Sequence, residues 1–296
     1  MKRPHVDRRG GDGETRGGGD LASNRDLTTI IVALVTVKLV VHLVAAGITP
    51  YEFHRDEFLY FSMGTHLRLF HMDFPPMMAL MSELLRHTVG VSVFTYRVFP
   101  ALAGAAILLI ALLAVRALGG GRTAVLLTGI GVMANGLYLR ANALFQPVAF
   151  DQLWWTLALY ALLRLEQTDD RRWWWTLGLA GGLGLLTKFS ILFIGLGVLV
   201  AIVATPRRRA LLGPWPWIAF GVALALGSPS LIGQITLGFP VVDQMSGLAQ
   251  GQLARMTWGE YLSNQPLMMG PAILLALAGL VAPFMSASLR PARSVA

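Results

Sequence analysis

The chain has 296 residues, of which 55% are hydrophobic and only 14% are charged, and its mean hydropathy is +0.60. This composition is too apolar for a soluble domain and is typical of a protein with several membrane spans. The net charge of +8 does not indicate nucleic-acid binding, because the basic residues form short clusters between apolar runs, as orienting charges do in membrane proteins. The absence of cysteine excludes disulfides and thiolate metal sites.

The N-terminal segment 1–27 is rich in Gly, Arg and Asp, and we predict a disordered tail there because it has little to bury. The apolar run from about Leu27 to Ala46 is long enough to cross a hydrocarbon core of about 30 Å. A cleaved signal peptide is the alternative, but the long preceding tail favours an uncleaved span. Further apolar runs predict spans at about 97–118, 123–140, 147–165, 173–187, 189–205, 214–233 and 266–286. Together with the first span, this gives about eight spans in a transmembrane region over 28–286.

The distribution of positive charge predicts the orientation. With the N-terminus inside, sixteen Lys and Arg residues fall in inside segments and seven fall outside or at the outer edge. We therefore expect a plasma-membrane protein with a cytoplasmic N-terminus, a cytoplasmic C-terminal tail at 287–296 and an outer loop at 48–96. The Gly-rich run at 178–186 lacks the GK[ST] ending of a phosphate loop and predicts close helix packing.

The outer loop 48–96 concentrates the ionisable residues. Asp56-Glu57 begins one predicted helix, with Asp56 as a candidate N-cap, and Pro75-Pro76 begins a second. Both helices have wide apolar faces, which predicts interfacial helices along the outer membrane surface. Helix capping and the helix dipole alone would explain acids at these helix starts. A divalent metal is a further alternative, since the loop supplies suitable ligand types without a tight motif, namely His54, His66, His71 and the carboxylates.

An acidic pair soon after the first span, followed about sixteen residues later by an Asp in D-x-P-P, resembles the polyprenol-phosphate-sugar-dependent glycosyltransferases of the GT-C class. The resemblance is to glycosyltransferase family 39, including its protein mannosyltransferase and aminoarabinose transferase types. The matching residues are Arg55, Asp56, Glu57, Tyr60, Gly64, His66, Leu67, Asp73, Pro75 and Pro76, followed by the stretches YRVFPALAGAA (96–106), FDQLWWTLALY (150–160) and GLLTKFS (184–190). The resemblance covers about residues 50–235 in the same order.

This resemblance implies an all-α GT-C type transmembrane helix bundle. It also implies transfer of a sugar from a polyprenyl-phosphate donor to a protein, lipid or glycan acceptor on the outer face. Asp56 would be the catalytic base or orient the acceptor, and Glu57 and Asp73 would support it. The sequence identifies neither the sugar nor the acceptor.

The resemblance also implies residues that bind the donor. Lys188 would hold the lipid phosphate, because a Lys between two apolar runs needs an anion or water; snorkelling to the outer surface is the alternative. Asp151 would border the active site or cap its helix, and Arg140 lies at the same edge. Several relatives carry a Lys before the double proline, where this chain has Phe74. A basic contact to the donor would then be either missing or supplied by Arg55 or His71.

Two other functions stay open at this stage. Full-length relatives continue with more spans, and a chain that looks short beside them could be a non-catalytic relative that binds lipid or supports an assembly. A lipid or sugar transporter is the second alternative, but it predicts more charged residues in the middle of spans than Lys38 alone.

Overall fold

The computed structural model describes residues 14–168, 170–204 and 206–285. Over these residues the chain forms thirteen α-helices, two short 3₁₀ turns and no β-strand, which confirms the predicted all-α architecture. The helices are α1 (Glu14–Ile48), α2 (Arg55–Thr65), α3 (Met77–Thr88), α4 (Val93–Ala117), α5 (Arg122–Ala134), α6 (Gly136–Ala141), α7 (Pro147–Thr168), α8 (Arg172–Thr187), α9 (Ile191–Ala204), α10 (Trp215–Thr236), α11 (Pro240–Gly251), α12 (Trp258–Met269) and α13 (Ala272–Met285).

Three helices are long and apolar enough to cross a membrane, namely the Arg25–Ile48 part of α1, α4 and α10. Helices α12 and α13 together form a fourth candidate that is bent by 101°, and this bend interrupts the predicted span 266–286. The other predicted spans coincide with helices α5 to α9, which are shorter or carry more charge. The chain is therefore a polytopic membrane protein, while the count of eight spans and the boundaries of the region 28–286 stay predictions.

Helix α1 begins at Glu14, inside the segment 1–27 for which we predicted disorder. Residues 1–13 and the predicted tail 287–296 lie outside the described residues. The first span is attached to the turn between α4 and α5, because Arg122 forms an ion pair with Asp26 and Arg116 Nη1 donates a hydrogen bond to Thr28 Oγ1 at 3.5 Å. These contacts fix the N-terminal end of the span against its neighbours.

Helices α8 and α10 approach each other closely through the Gly-rich run. A Cβ atom on Gly178 would lie 2.6 Å from the Ala219 carbonyl oxygen, and one on Gly182 would lie 2.6 Å from Leu226 Cβ. Any larger residue would push the helices apart, which confirms that the run serves close helix packing.

The segment 48–96, which we continue to call the outer loop after its predicted orientation, folds into α2 and α3, which pack together over the start of α4. The centre of this packing is Tyr96, whose ring is fully buried and meets the Phe145 ring edge-on at 4.9 Å. The Tyr96 hydroxyl group donates a hydrogen bond to the Ser82 carbonyl oxygen of α3 at 3.1 Å. Phe58 and Leu84 are exposed on α2 and α3, as apolar residues of interfacial helices would be. The loop is thus a packed layer at one end of the bundle.

Candidate active site

Glu57, the second acid of the predicted pair, is completely buried. Its Oε1 atom accepts hydrogen bonds from Arg97 Nε at 3.2 Å and the Phe145 backbone N–H at 2.8 Å. Its Oε2 atom accepts from Arg97 Nη2 at 2.8 Å and the His54 backbone N–H at 2.7 Å. A carboxylate offers about four lone-pair sites. The Glu57 carboxylate is therefore saturated by the protein itself.

The Glu57–Arg97 pair joins three segments: α2, α4 and the link between α6 and α7. Burial by itself would raise the pKa of Glu57, but the hydrogen bonds and positive charge of Arg97 and the two backbone N–H donors outweigh it. The pKa of Glu57 consequently lies below its usual value, and the carboxylate is ionised at neutral pH. Such a group is suited to holding the outer loop in place.

Asp56, the neighbouring acid, remains accessible, with 38% of its side chain exposed. Its Oδ2 atom accepts a hydrogen bond from Gln146 Nε2 at 3.2 Å, and its Oδ1 atom accepts one from Arg55 Nε at 3.3 Å. Burial, together with the negative charge of Asp56, raises the pKa of Tyr60 to about 12, so this phenol stays protonated. Asp56 is therefore oriented by one amide and one guanidinium group, and it keeps lone pairs for a further partner.

The N-cap of α2 is His54 rather than Asp56, which corrects the capping interpretation of Asp56. The Asp56 backbone N–H donates a hydrogen bond to His54 Nδ1 at 3.3 Å, so Nδ1 is the unprotonated ring nitrogen. The Glu57 side chain closes the reciprocal half of this capping box. Asp56 is thus free of the capping role, although it still lies in the first turn of α2, where the helix dipole favours an acid.

A pocket of about 590 Å³ lies beside this acid. It is bounded by the C-terminal end of α1, the segment 51–55, Arg97 and the pair Ala143-Leu144. Two lining residues contact the Asp56 carboxylate, His54 through Nδ1 at 3.9 Å and Arg55 through Nε at 3.3 Å, so Asp56 lies just behind the lining, at the rim of the pocket. The volume falls in the range of small-molecule sites and is sufficient for a sugar.

Lys188 lies at the predicted tight turn, where α8 ends and α9 soon begins. It is exposed and interacts electrostatically with Asp151, whose Oδ1 atom accepts a hydrogen bond from Ser190 Oγ at 2.6 Å. Asp151 is the fifth residue of α7 and so lies inside the helix rather than at its N-cap. Gln146, which binds Asp56, directly precedes the same helix. The acid at the rim and the Lys188–Asp151 pair are thus both connected to the N-terminal end of α7.

The remaining predicted site residues are more scattered. Asp73 is exposed in the link between α2 and α3, where its Oδ1 atom accepts a hydrogen bond from the Phe74 backbone N–H at 3.0 Å. His71 and Arg140 are also exposed. Within the described part of the chain, none of these three side chains forms a hydrogen bond or ion pair with Asp56 or Lys188.

The link that carries Asp73 is anchored on the distant helix α10. The buried Gln234 donates from Nε2 to the Asp73 carbonyl oxygen at 2.8 Å and accepts at Oε1 from the Val241 backbone N–H at 2.9 Å. A Cβ atom on Gly233 would lie 2.8 Å from the Met72 carbonyl oxygen. The end of α10 therefore determines where this part of the outer loop lies.

Sequence reasoning did not assign roles to Arg97, Gln146 or Gln234. Arg97 had one available signal, since it is a charged residue at the start of a long apolar run and needs a partner there. Gln146 and Gln234 carried no signal, because uncharged amides beside apolar helices are common and their partners are remote in sequence. The described residues contain no group of three or more His, Asp or Glu side chains that could hold a metal ion.

The helical bundle and its apolar helices define the class of polytopic all-α membrane proteins. A family model described as dolichyl-phosphate-mannose-protein mannosyltransferase matches residues 73–232, more than half of the chain. The chain belongs to this family, which confirms the resemblance seen in the sequence. No curated protein matches it. Asp151 and Lys188 lie within the matched residues, whereas Asp56 and Glu57 precede them.

Proposed function

We propose that the protein transfers a sugar from a polyprenyl monophosphate donor to a hydroxyl group of a protein, lipid or glycan acceptor. The observation that carries this proposal is the contrast between the two neighbouring acids. Glu57 is buried and saturated, whereas Asp56 is accessible, oriented by Gln146 and next to a pocket. One acid thus holds the loop while the other is available for chemistry.

In the proposed reaction, the hydroxyl oxygen of the acceptor attacks the anomeric carbon of the sugar, and Asp56 accepts the proton of this hydroxyl group. The bond between the anomeric carbon and the phosphate oxygen breaks, and the polyprenyl phosphate leaves with an additional negative charge. A cation near this oxygen lowers the barrier by stabilising that charge. Lys188 is exposed and interacts electrostatically with Asp151, and we assign it this role.

The other predicted residues have supporting roles in this proposal. Glu57 positions Asp56 through the backbone of α2, and Asp73 borders the site from the link between α2 and α3. Arg55 contacts Asp56 directly and supplies positive charge at the rim. It would thereby replace the basic group that several relatives carry at the position of Phe74. His71 and Arg140 are secondary candidates for donor contacts. With the cytoplasmic N-terminus that the charge distribution predicts, this site lies on the outer face of the plasma membrane.

Sugar transfer by the purified protein in nanodiscs tests the proposal. Defined polyprenyl phosphate sugars would be supplied one at a time with a membrane extract as acceptor, and released polyprenyl phosphate would be measured. We expect polyprenyl phosphate to be released from one of the donors and only when the acceptor extract is present. Donor binding without release under every combination would contradict catalysis and favour a lipid-binding relative.

A further inference from the structure

Helix α1 carries two buried polar side chains that the proposed reaction does not use. Lys38 is 2% exposed and His42 is 5% exposed. Lys38 lies ten residues before the end of α1 at Ile48, which is about 15 Å along the helix and near the middle of a membrane core. A residue so completely buried does not snorkel to the lipid surface, and its ammonium group faces the interior of the bundle.

These two side chains have unused hydrogen-bonding groups. His42 Nδ1 lies 2.9 Å from the Lys38 carbonyl oxygen and must carry the proton there, so Nε2 of the neutral ring is an acceptor. Neither His42 Nε2 nor Lys38 Nζ has a hydrogen-bond partner among the described residues. A buried ammonium group without a partner is strongly destabilising, and an anionic ligand would remove this cost.

Of these two side chains, His42 lines the pocket described above. Lys38 lies behind the pocket lining, one helical turn before His42 on the same face of α1 and within electrostatic reach of the His42 ring. The pocket walls also include Arg55 and Arg97, against Glu52 as their one acid. Since Glu57 pairs with Arg97 and Asp56 pairs with Arg55, the described cation near this end of the pocket that has no acidic partner is Lys38. The deep end is therefore suited to an anion.

We infer that the deep end of this pocket binds an anionic oxygen group of the substrate, a phosphate or a carboxylate, through Lys38. In this arrangement Lys38 Nζ donates to the anionic oxygen, and His42 Nε2 accepts from a hydroxyl group of the same molecule. The inference rests on the proposed function for the source of the anion. That source is either the phosphate of the lipid donor or a carboxylate on the sugar itself.

Binding to the purified protein, measured without turnover, tests this inference and separates the two sources. The probes form two matched pairs, farnesyl phosphate with farnesol and glucuronic acid with glucose. The variants are Lys38→Met, Lys38→Gln as a second neutral replacement, and Val41→Met as a control on the lipid-facing side of α1, where Val41 is 51% exposed. Thermal unfolding without ligand shows whether each variant is folded. We expect the Lys38 variants to be at least as stable as the wild type, because they remove an unpaired buried charge.

We expect the wild type and Val41→Met to prefer the anionic member of one pair. Both Lys38 variants should bind that probe about ten- to a hundredfold more weakly, as loss of a charge-assisted hydrogen bond predicts, and bind the neutral probe unchanged. Equal binding by wild type and Lys38 variants would refute the inference, as would marked destabilisation of both variants without ligand, because Lys38 would then be a structural residue. Anion binding through Lys38 without any sugar transfer would instead refute the proposed function alone.

Discussion

Glu57 and Arg97, forty residues apart in sequence, form a buried ion pair through two hydrogen bonds of 3.2 and 2.8 Å. This pair attaches the outer loop to the N-terminal part of α4 and, through the Phe145 backbone N–H, to the link that precedes α7. The adjacent Asp56 is thereby held beside the pocket while its own carboxylate stays accessible.

Glu57→Gln should destabilise the fold, because it leaves the Arg97 guanidinium buried without a counter-charge. Breaking a buried pair from one side typically costs about 3–5 kcal/mol. We expect a clearly lower unfolding temperature in detergent. The double variant Glu57→Met/Arg97→Met should recover part of the lost stability, because it removes both charges. It should not recover all of it, because the backbone N–H donors of His54 and Phe145 remain unpaired. Wild-type stability in Glu57→Gln would contradict the structural role.

Acid should weaken the wild type through this same carboxylate. The folded-state pKa of Glu57 lies below its usual value of 4.5, so its contribution to stability is present above pH 4.5 and is lost as the pH falls toward the folded-state value. Unfolding temperatures measured from pH 7 down to pH 3 should therefore converge for the wild type and Glu57→Gln. A constant difference between them across this range would show that ionisation of Glu57 contributes nothing.

Gly233→Ala should displace the link that carries Asp73, because the new Cβ atom would lie 2.8 Å from the Met72 carbonyl oxygen. We expect reduced kcat with an intact bundle, measured by sugar transfer and thermal unfolding together. Gly221→Ala on the same helix is a matched control, since nothing lies within 4 Å of its added Cβ atom. Removing glycine from a helix usually stabilises it by about 0.5–1 kcal/mol. Equal kcat in the two variants would remove Gly233 from the positioning of this link.

Lys188→Met should weaken binding of a non-hydrolysable polyprenyl phosphate about ten- to a hundredfold, the effect of losing one charge-assisted hydrogen bond. Lys188→Arg should recover part of the affinity, because the charge is kept while its geometry changes. If Lys188 only snorkels to the surface, all three proteins will bind the lipid equally. The phosphate contact would then have to come from another cation, with Lys38, Arg55 and Arg140 as the candidates.

The sequence predicted the features that depend on local order. Apolar runs gave the positions of the helices, and the double proline before Met77 gave the start of α3. Pairing between distant segments could not be predicted in this way, because the bond from Phe145 to Glu57 spans 88 residues and the bond from Gln234 to Asp73 spans 161. The sequence also left open which of two adjacent acids is accessible. Neighbours on a helix point about 100° apart, and only the packing of α2 decides which of them is buried.

The most direct test of the central claim is the turnover of Asp56→Asn. This change keeps the size of the side chain and an oxygen that can accept from Gln146, but it removes the base. Loss of a general base costs about 10²–10⁴ in rate. Asp243→Asn is the matched control, because Asp243 also lies exposed in the first turn of a helix. We expect sugar transfer to fall by this factor in Asp56→Asn alone, with donor affinity and unfolding temperature unchanged. Near-normal turnover in Asp56→Asn would contradict the assignment of Asp56 as the catalytic base.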